Sequence, residues 1–107
     1  MANIIPEAGL NRLRSYWAAL PTVGRYKIGA TWYTSPIESQ AVEENGAVTV
    51  SFYMARQNGG ATVTEKQICL QEGGTLTVLA RNTDSFTFPT NRDRYLWRFK
   101  FGITVIE

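Results

Sequence analysis

Residues 61–81, ATVTEKQICLQEGGTLTVLAR, have the pattern of two β-strands joined by a tight turn. Gly73 and Gly74 lie at its centre, and glycine adopts the positive φ of a short hairpin connection without steric strain. Val63 is out of phase with Ile68, which predicts a β-bulge between them or a change of the buried face. The apolar residues that share a face are Ile68 and Leu70 on the first strand, and Leu76, Val78 and Ala80 on the second. This stretch predicts a β protein organised around a hairpin.

The segment from residue 26 to residue 42 predicts one strand followed by a weaker one. Residues 26–33, YKIGATWY, alternate over their whole length and predict a single strand. Pro36 ends it, and residues 37–42 are expected to form a separate edge strand because proline cannot donate a ladder hydrogen bond. On the predicted strand, one face carries Tyr26, Ile28, Ala30 and Trp32, and the other carries Lys27, Gly29, Thr31 and Tyr33.

Two further strands show clear alternation. Asn45 and Gly46 predict a turn, and the strand behind it alternates apolar Val48, Val50, Phe52 and Met54. After a short extended piece at residues 86–88, the last strand is predicted over residues 95–105. Its apolar odd positions are Tyr95, Trp97, Phe99, Phe101, Ile103 and Val105. Such a strand would extend for about 35 Å, so we expect it to bend across two sheets or to reach another chain.

The one clear helix signal covers residues 6–20. Pro6 suits the first helical position, where its missing N–H has no partner in any case, and Pro21 ends the helix. The apolar stripe consists of Leu10, Leu13, Trp17 and Leu20. A stripe of this kind docks on the chain's own sheet or, in the alternative, inserts into a partner subunit.

These elements predict a mainly β fold, a small antiparallel β-sandwich or barrel-like domain with one N-terminal amphipathic α-helix. With 107 residues, the chain can bury about two-thirds of its unfolded surface as one domain, with a helix arm at residues 1–22 and a β domain at residues 23–107. Cys69 is the only cysteine, which excludes an intrachain disulfide and predicts a small buried apolar residue. The net charge of +2 is too small to imply a polyanionic partner.

The sequence predicts neither a membrane protein nor a secreted one. No apolar run approaches the ~20 residues that span a bilayer. The start, Met1-Ala2-Asn3, lacks the basic and hydrophobic regions of a signal peptide. We therefore expect synthesis in a reducing cytoplasm.

The composition argues against an enzyme. The chain contains no histidine, which removes the commonest general base, the usual metal ligand and the familiar catalytic triads. Glu43, Glu44 and Glu72 flank turns, where a carboxylate is most often solvated, and no serine lies in a G-x-S-x-G motif. We expect no catalytic residues, no cofactor and no metal.

The basic and aromatic segment NRDRYLWRFKF, residues 91–101, makes single-stranded nucleic acid an alternative partner. Stacking rings and phosphate-binding cations must share a face, whereas Arg98 and Lys100 point opposite to Trp97 and Phe99. The alternation therefore argues against nucleic acid, and the basic side is interpreted as solvent-facing or as a subunit boundary. A carbohydrate platform formed by Trp32, Tyr33 or Tyr53 remains open as an alternative.

Several short motifs resemble those of bacteriophage tail-fibre and tail-appendage proteins. Residues 4–11, IIPEAGLN, resemble the entry to their N-terminal helix, and residues 26–29, YKIG, resemble their first β-strand. The pieces that resemble their central hairpin are GATVTE at residues 60–65, QICL at 67–70, GGTL at 73–76 and LAR at 79–81.

The resemblance implies a non-enzymatic structural protein of the virion, made in the cytoplasm of the host bacterium. It would be an adaptor or decorating subunit of a tail, collar, baseplate, fibre or capsid. Its implied partners are other virion proteins and further copies of itself, with a trimer favoured by analogy to fibres. The candidate interface residues are Leu10, Leu13, Trp17, Tyr33, Tyr53, Arg98 and Lys100.

Overall fold

A computed structural model describes residues 6–57 and 60–102 of the chain. Its elements are α1 (Glu7–Ala19), β1 (Val23–Ile28), β2 (Thr31–Val42), β3 (Ala47–Ala55), β4 (Thr62–Glu72), β5 (Thr75–Asn82), β6 (Phe86–Thr87) and β7 (Arg94–Gly102). The predicted class is confirmed: the fold is mainly β, with an N-terminal helix and an antiparallel sheet of seven strands that does not close into a barrel.

Strand β2 connects two halves of this sheet, whose strand order is β5-β4-β1-β2-β3-β7 with β6 beside β4. Residues 31–36 of β2 pair with β1, and the stretch from Ile37 to Val42 pairs with β3. The strand that pairs with β2 changes from β1 to β3 after Pro36. Proline has no N–H, so it cannot donate a hydrogen bond to a neighbouring strand. We call β1, β4, β5, β6 and residues 31–36 the β1–β4 half, and β3, β7 and residues 37–42 the β3–β7 half.

The core lies between these halves and beneath the helix. Val48, Val50, Phe52 and Met54 are each fully buried, which confirms the alternation predicted for β3. A Cβ at Gly24 of β1 would lie 2.2 Å from Cγ of Phe52, so the two halves approach so closely only because position 24 has no side chain. Ala18 of α1 belongs to the same cluster, and the Trp17 ring lies 4.8 Å from the ring of Phe101.

The predicted hairpin is confirmed as β4 and β5, and Gly73 in its turn has φ +57°. The predicted bulge is also confirmed. Val63 pairs with Ile28 while Glu65 pairs with Lys27, so Thr64 is the extra residue in β4. The bulge shifts the phase of the strand, which lets Val63 and Ile68 both face the core.

The single strand predicted at residues 26–33 is wrong. The chain turns at Gly29, which has φ +62°, and β1 pairs with β2 so that Tyr26 lies opposite Tyr33 and Lys27 opposite Trp32. A two-residue turn inverts the parity of the second strand. Residues 37–42 are not a separate strand, because β2 runs on through Pro36. Their predicted edge position is confirmed among the described strands, because they pair with β3 alone.

The predicted helix is confirmed within one residue at each end, and it docks on the chain's own sheet, against β2 and β3. Its buried residues are Leu10, Arg14 and Ala18, whereas 48% of Leu13 is exposed. The buried face is rotated toward Arg14 because the Arg14 guanidinium packs against Gly46 in the β2–β3 turn.

Strand β7 confirms the predicted alternation from Trp97 to Phe101, whereas Tyr95 near its start is 39% exposed. Phe99 faces the core, while Arg98 and Lys100 are exposed. Residues 103–105 of the predicted strand lie outside the described residues.

Candidate docking surface

The outer face of the β3–β7 half gathers basic side chains around one aromatic ring. Residues paired across antiparallel strands point to the same side of the sheet. The pairs on this outer face are Thr49 with Lys100, Ser51 with Arg98, Tyr53 with Leu96, and Ala55 with Arg94. We call Tyr53, Arg94, Leu96, Arg98 and Lys100 the cationic face. Strand β3 thus supplies an aromatic ring to the face that carries the cations of β7. Alternation within β7 alone could not reveal this neighbour.

The contacts on the cationic face are those of exposed charges. The guanidinium carbon of Arg94 lies 4.1 Å from the centre of the Tyr53 ring, within cation–π range. Nζ of Lys100 lies 3.4 Å from Oε2 of Glu43 at one end of the face. Within residues 6–57 and 60–102, no carboxylate lies within 4.0 Å of the Arg98 guanidinium. Arg98 therefore offers its donors outward at the centre of the face.

The backbone edge of β7 borders this face. Among the described strands β7 pairs only with β3, so its other edge carries unpaired N–H and C=O groups over residues 94–102. Those nine residues contain no proline and extend for about 30 Å. An edge of this length is a template for pairing with another strand.

Three of the predicted interface residues make contacts inside the chain. Leu10 is buried, with 7% of its surface exposed, and Trp17 packs against Phe101. Tyr33 stacks on Tyr26, with ring centres 5.6 Å apart. Two-thirds of Tyr16 is exposed on the same helix as Leu13, so Leu13 and Tyr16 present apolar surface away from the core. The structure therefore brings Tyr53, Arg98 and Lys100 together and places the helix residues elsewhere.

The outer face of the β1–β4 half carries a second contact between an aromatic ring and cations. Trp32 points outward because the turn at Gly29 inverts the parity of β2. Its ring centre lies 4.4 Å from the Arg25 guanidinium carbon and 5.8 Å from Nζ of Lys27. Nη1 of Arg25 also donates to Oε1 of Gln67 at 3.1 Å. The ring is thus held against the sheet by its own cationic neighbours.

A buried lysine lies inside the fold, and sequence reasoning did not identify it. Lys66 is fully buried, its Nζ donates to the backbone oxygen of Asp84, and it lies 4.1 Å from the Trp97 ring centre. Burial lowers the pKa of Lys66, and the nearby Asp84 carboxylate partly offsets this effect. Alternation with Ile68 was the available signal, because residues 66 and 68 of one strand point to the same side of the sheet.

A shallow groove of about 290 Å³ between α1 and β2 is lined by Ser15, Ala18, Ala19, Gln40, Ala41 and Val42, without a titratable side chain. In residues 6–57 and 60–102, no three Cys, Asp or Glu side chains come close enough to hold a metal ion. Cys69 is buried as predicted, and this burial raises the pKa of its thiol. No helix in the described part is long and apolar enough to cross a membrane.

The cationic face and the unpaired β7 edge beside it form the candidate docking surface of this fold. Comparison of the chain with protein-family models, with curated proteins and with solved structures returns no match.

Proposed function

We propose that this protein is a non-enzymatic structural component of a bacteriophage particle, acting as an adaptor or decorating subunit. In this role it associates with itself and docks on a neighbouring virion protein. The resemblance of residues 4–11 and of the β4–β5 hairpin to tail appendage proteins supports the phage assignment. The observation that carries the docking role is the unpaired edge of β7 beside the cationic face.

Docking at this edge would proceed by sheet extension. A neighbour's strand hydrogen-bonds to the outer N–H and C=O groups of β7, and these main-chain bonds supply affinity. Side chains at alternate positions then set specificity, because they project onto one face of the extended sheet. Arg94, Arg98 and Lys100 are the exposed cations of β7 that meet the partner's outward residues.

Self-association uses a different part of the molecule. Leu13 and Tyr16 expose apolar surface on α1, and apolar side chains on one flank of a helix gain free energy when a second copy covers them. Contacts between these flanks would form a homo-oligomer, and the resemblance to tail fibres favours a trimer. The two contacts are separate in the fold, so each can be removed without the other.

Multi-angle light scattering on the purified chain tests self-association over protein concentrations of about 1 to 100 μM, because oligomer populations follow mass action. We expect an oligomer, favoured to be a trimer, in the unmodified chain and a monomer in the double variant Leu13→Lys with Tyr16→Lys. Thr77→Lys on β5 is the control for an added surface charge and should leave the oligomer intact. A monomer at every concentration, with no difference between variants, would contradict the self-association.

A further inference from the structure

We infer that the partner of the β7 edge is an extended acidic segment of a different protein, hydrogen-bonded along β7 with its carboxylates over the cationic face. This inference rests on the proposed docking function and names the chemistry of the partner.

The charge of the face points to an acidic occupant. Arg98 and Lys100 are successive outward residues of β7, and side chains two residues apart on a strand lie about 6.6 to 6.8 Å from each other. Arg94 extends the row beyond Leu96. The facing residues of β3 are uncharged, and Glu43 is engaged only with Lys100 at the end of the row. A strand with carboxylates at alternate positions matches this row in both sign and spacing.

A second copy of the chain does not offer a matching edge. If two β7 strands paired antiparallel with their centre at Trp97, Arg94 of one copy would lie opposite Lys100 of the other, and like charges placed directly opposite are destabilising. Among the other one-sided segments of the described sheet, β5 carries Arg81 as its single charged residue and β6 carries no charge. Residues 37–42 of β2, which pair only with β3, carry Glu38 alone. None of these segments supplies carboxylates at alternate positions, so the acidic strand comes from another protein.

Nucleic acid fits this face less well than an acidic strand. Single-stranded nucleic acid is held by stacking of its bases on open aromatic rings beside the phosphate-binding cations. One face of the Tyr53 ring is already covered by the Arg94 guanidinium, and Phe99 and Trp97 belong to or pack against the core. Nucleic acid also leaves the N–H and C=O groups of the β7 edge without main-chain partners.

The experiment measures binding of a synthetic nine-residue peptide of alternating Glu and Thr to the full chain by isothermal titration calorimetry. We expect saturable binding, and we expect the double variant Arg98→Glu with Lys100→Glu to weaken it by about tenfold or more, because two charge-assisted contacts become repulsive. The control variant Arg12→Glu with Arg81→Glu makes the same change in net charge on α1 and β5 and should bind as the unmodified chain does. Thermal unfolding followed by circular dichroism verifies that both double variants are folded.

Three peptide controls separate a docked strand from general charge attraction. A Lys-Thr peptide should not bind, and a peptide with the same composition but its Glu residues in one block should bind more weakly. A Glu-Thr peptide that is N-methylated at alternate residues keeps its charge but loses one hydrogen-bonding edge, so it should lose most of its affinity.

The inference is overturned if the N-methylated and plain peptides bind equally, if both double variants lose affinity equally, or if no acidic peptide binds. It is also overturned if a single-stranded oligo-dT binds more tightly than the Glu-Thr peptide in a manner that depends on Arg98. Its failure is distinguishable from failure of the proposed function, because light scattering can still report a self-associating chain that ignores acidic peptides.

Discussion

Two cation–aromatic contacts of the same length lie on opposite faces of the β3–β7 half. Nζ of Lys66 is 4.1 Å from the ring centre of Trp97 inside the fold, and the guanidinium carbon of Arg94 is 4.1 Å from the ring centre of Tyr53 outside. Lys66 is fully buried, whereas Arg94 is exposed. Burial removes the ammonium from water and lowers the pKa of Lys66, while the outer guanidinium keeps its hydration. Desolvation, and not contact distance, therefore decides what such a pair contributes to the free energy of unfolding.

Strand β7 contributes to both contacts through its alternation. Trp97 points inward to Lys66, and Arg94 points outward to Tyr53. Substitutions on the inner face should therefore change the free energy of unfolding, and substitutions on the outer face should change docking.

The largest effect is expected where the two halves touch, at Gly24→Val. Any Cβ at this position would lie within 2.2 to 2.5 Å of three Phe52 ring atoms, so the halves must separate. Overpacking of a filled core reduces the free energy of unfolding by about 1 to 3 kcal/mol or more. Separation would also admit water to Lys66, which makes the inner pair resemble the outer one.

Urea unfolding followed by circular dichroism measures this effect, and Gly102→Ala is the matched control. Gly102 also lies in a strand, but a Cβ there meets nothing within 4 Å, so the control should leave the free energy of unfolding nearly unchanged. Equal stability of Gly24→Val and the unmodified chain would show that the halves do not pack as described.

The sequence alone predicts the inner face of the β3–β7 half better than its outer face. Val48 and Phe52 alternate without interruption, and burial of one face follows from that period. The sequence places Trp32 on the wrong face because residues 26–33 keep their alternation through the Gly29 turn. Lys66 shares the phase of Ile68, but a lysine is almost never fully buried unless it is paired, so its inward position is not expected from the sequence. The cationic face joins Tyr53 to cations on a strand some forty residues away, a pairing that no local pattern specifies.

The second effect in size is expected at Lys66→Met. Replacement of a buried charge by an apolar side chain of similar volume is often neutral or stabilising, so we expect a gain of about 1 kcal/mol in the free energy of unfolding at neutral pH. Lys27→Met, a half-buried lysine beside Trp32 on the outer face of the β1–β4 half, should show no such gain. A large loss in Lys66→Met would mean that the Lys66–Trp97 contact outweighs desolvation.

The difference between Lys66→Met and the unmodified chain should depend on pH with a defined sign. The pKa of Lys66 is lower in the folded chain than its ordinary value of 10.5, so the unfolded chain binds more protons between these two pKa values. Stability of the unmodified chain therefore rises with pH through that window relative to the variant. Urea unfolding at a series of alkaline pH values should show that the excess free energy of unfolding of Lys66→Met shrinks as the pH approaches 10.5. An advantage that is constant with pH would contradict the lowered pKa of Lys66.

The smallest effect on stability is expected at Arg94→Ala. An exposed cation–π contact contributes about 0.5 to 1 kcal/mol, because both the guanidinium and the ring edge remain hydrated. A double-mutant cycle with Tyr53→Ala isolates the coupling energy between Arg94 and Tyr53. This energy should be smaller than the coupling energy measured in the same way between Lys66 and Trp97. Equal couplings would mean that contact distance, and not desolvation, sets the energy of both contacts. Arg94→Ala should nevertheless weaken binding of the Glu-Thr peptide, because removal of one cation lowers the potential of the cationic face without disturbing the core.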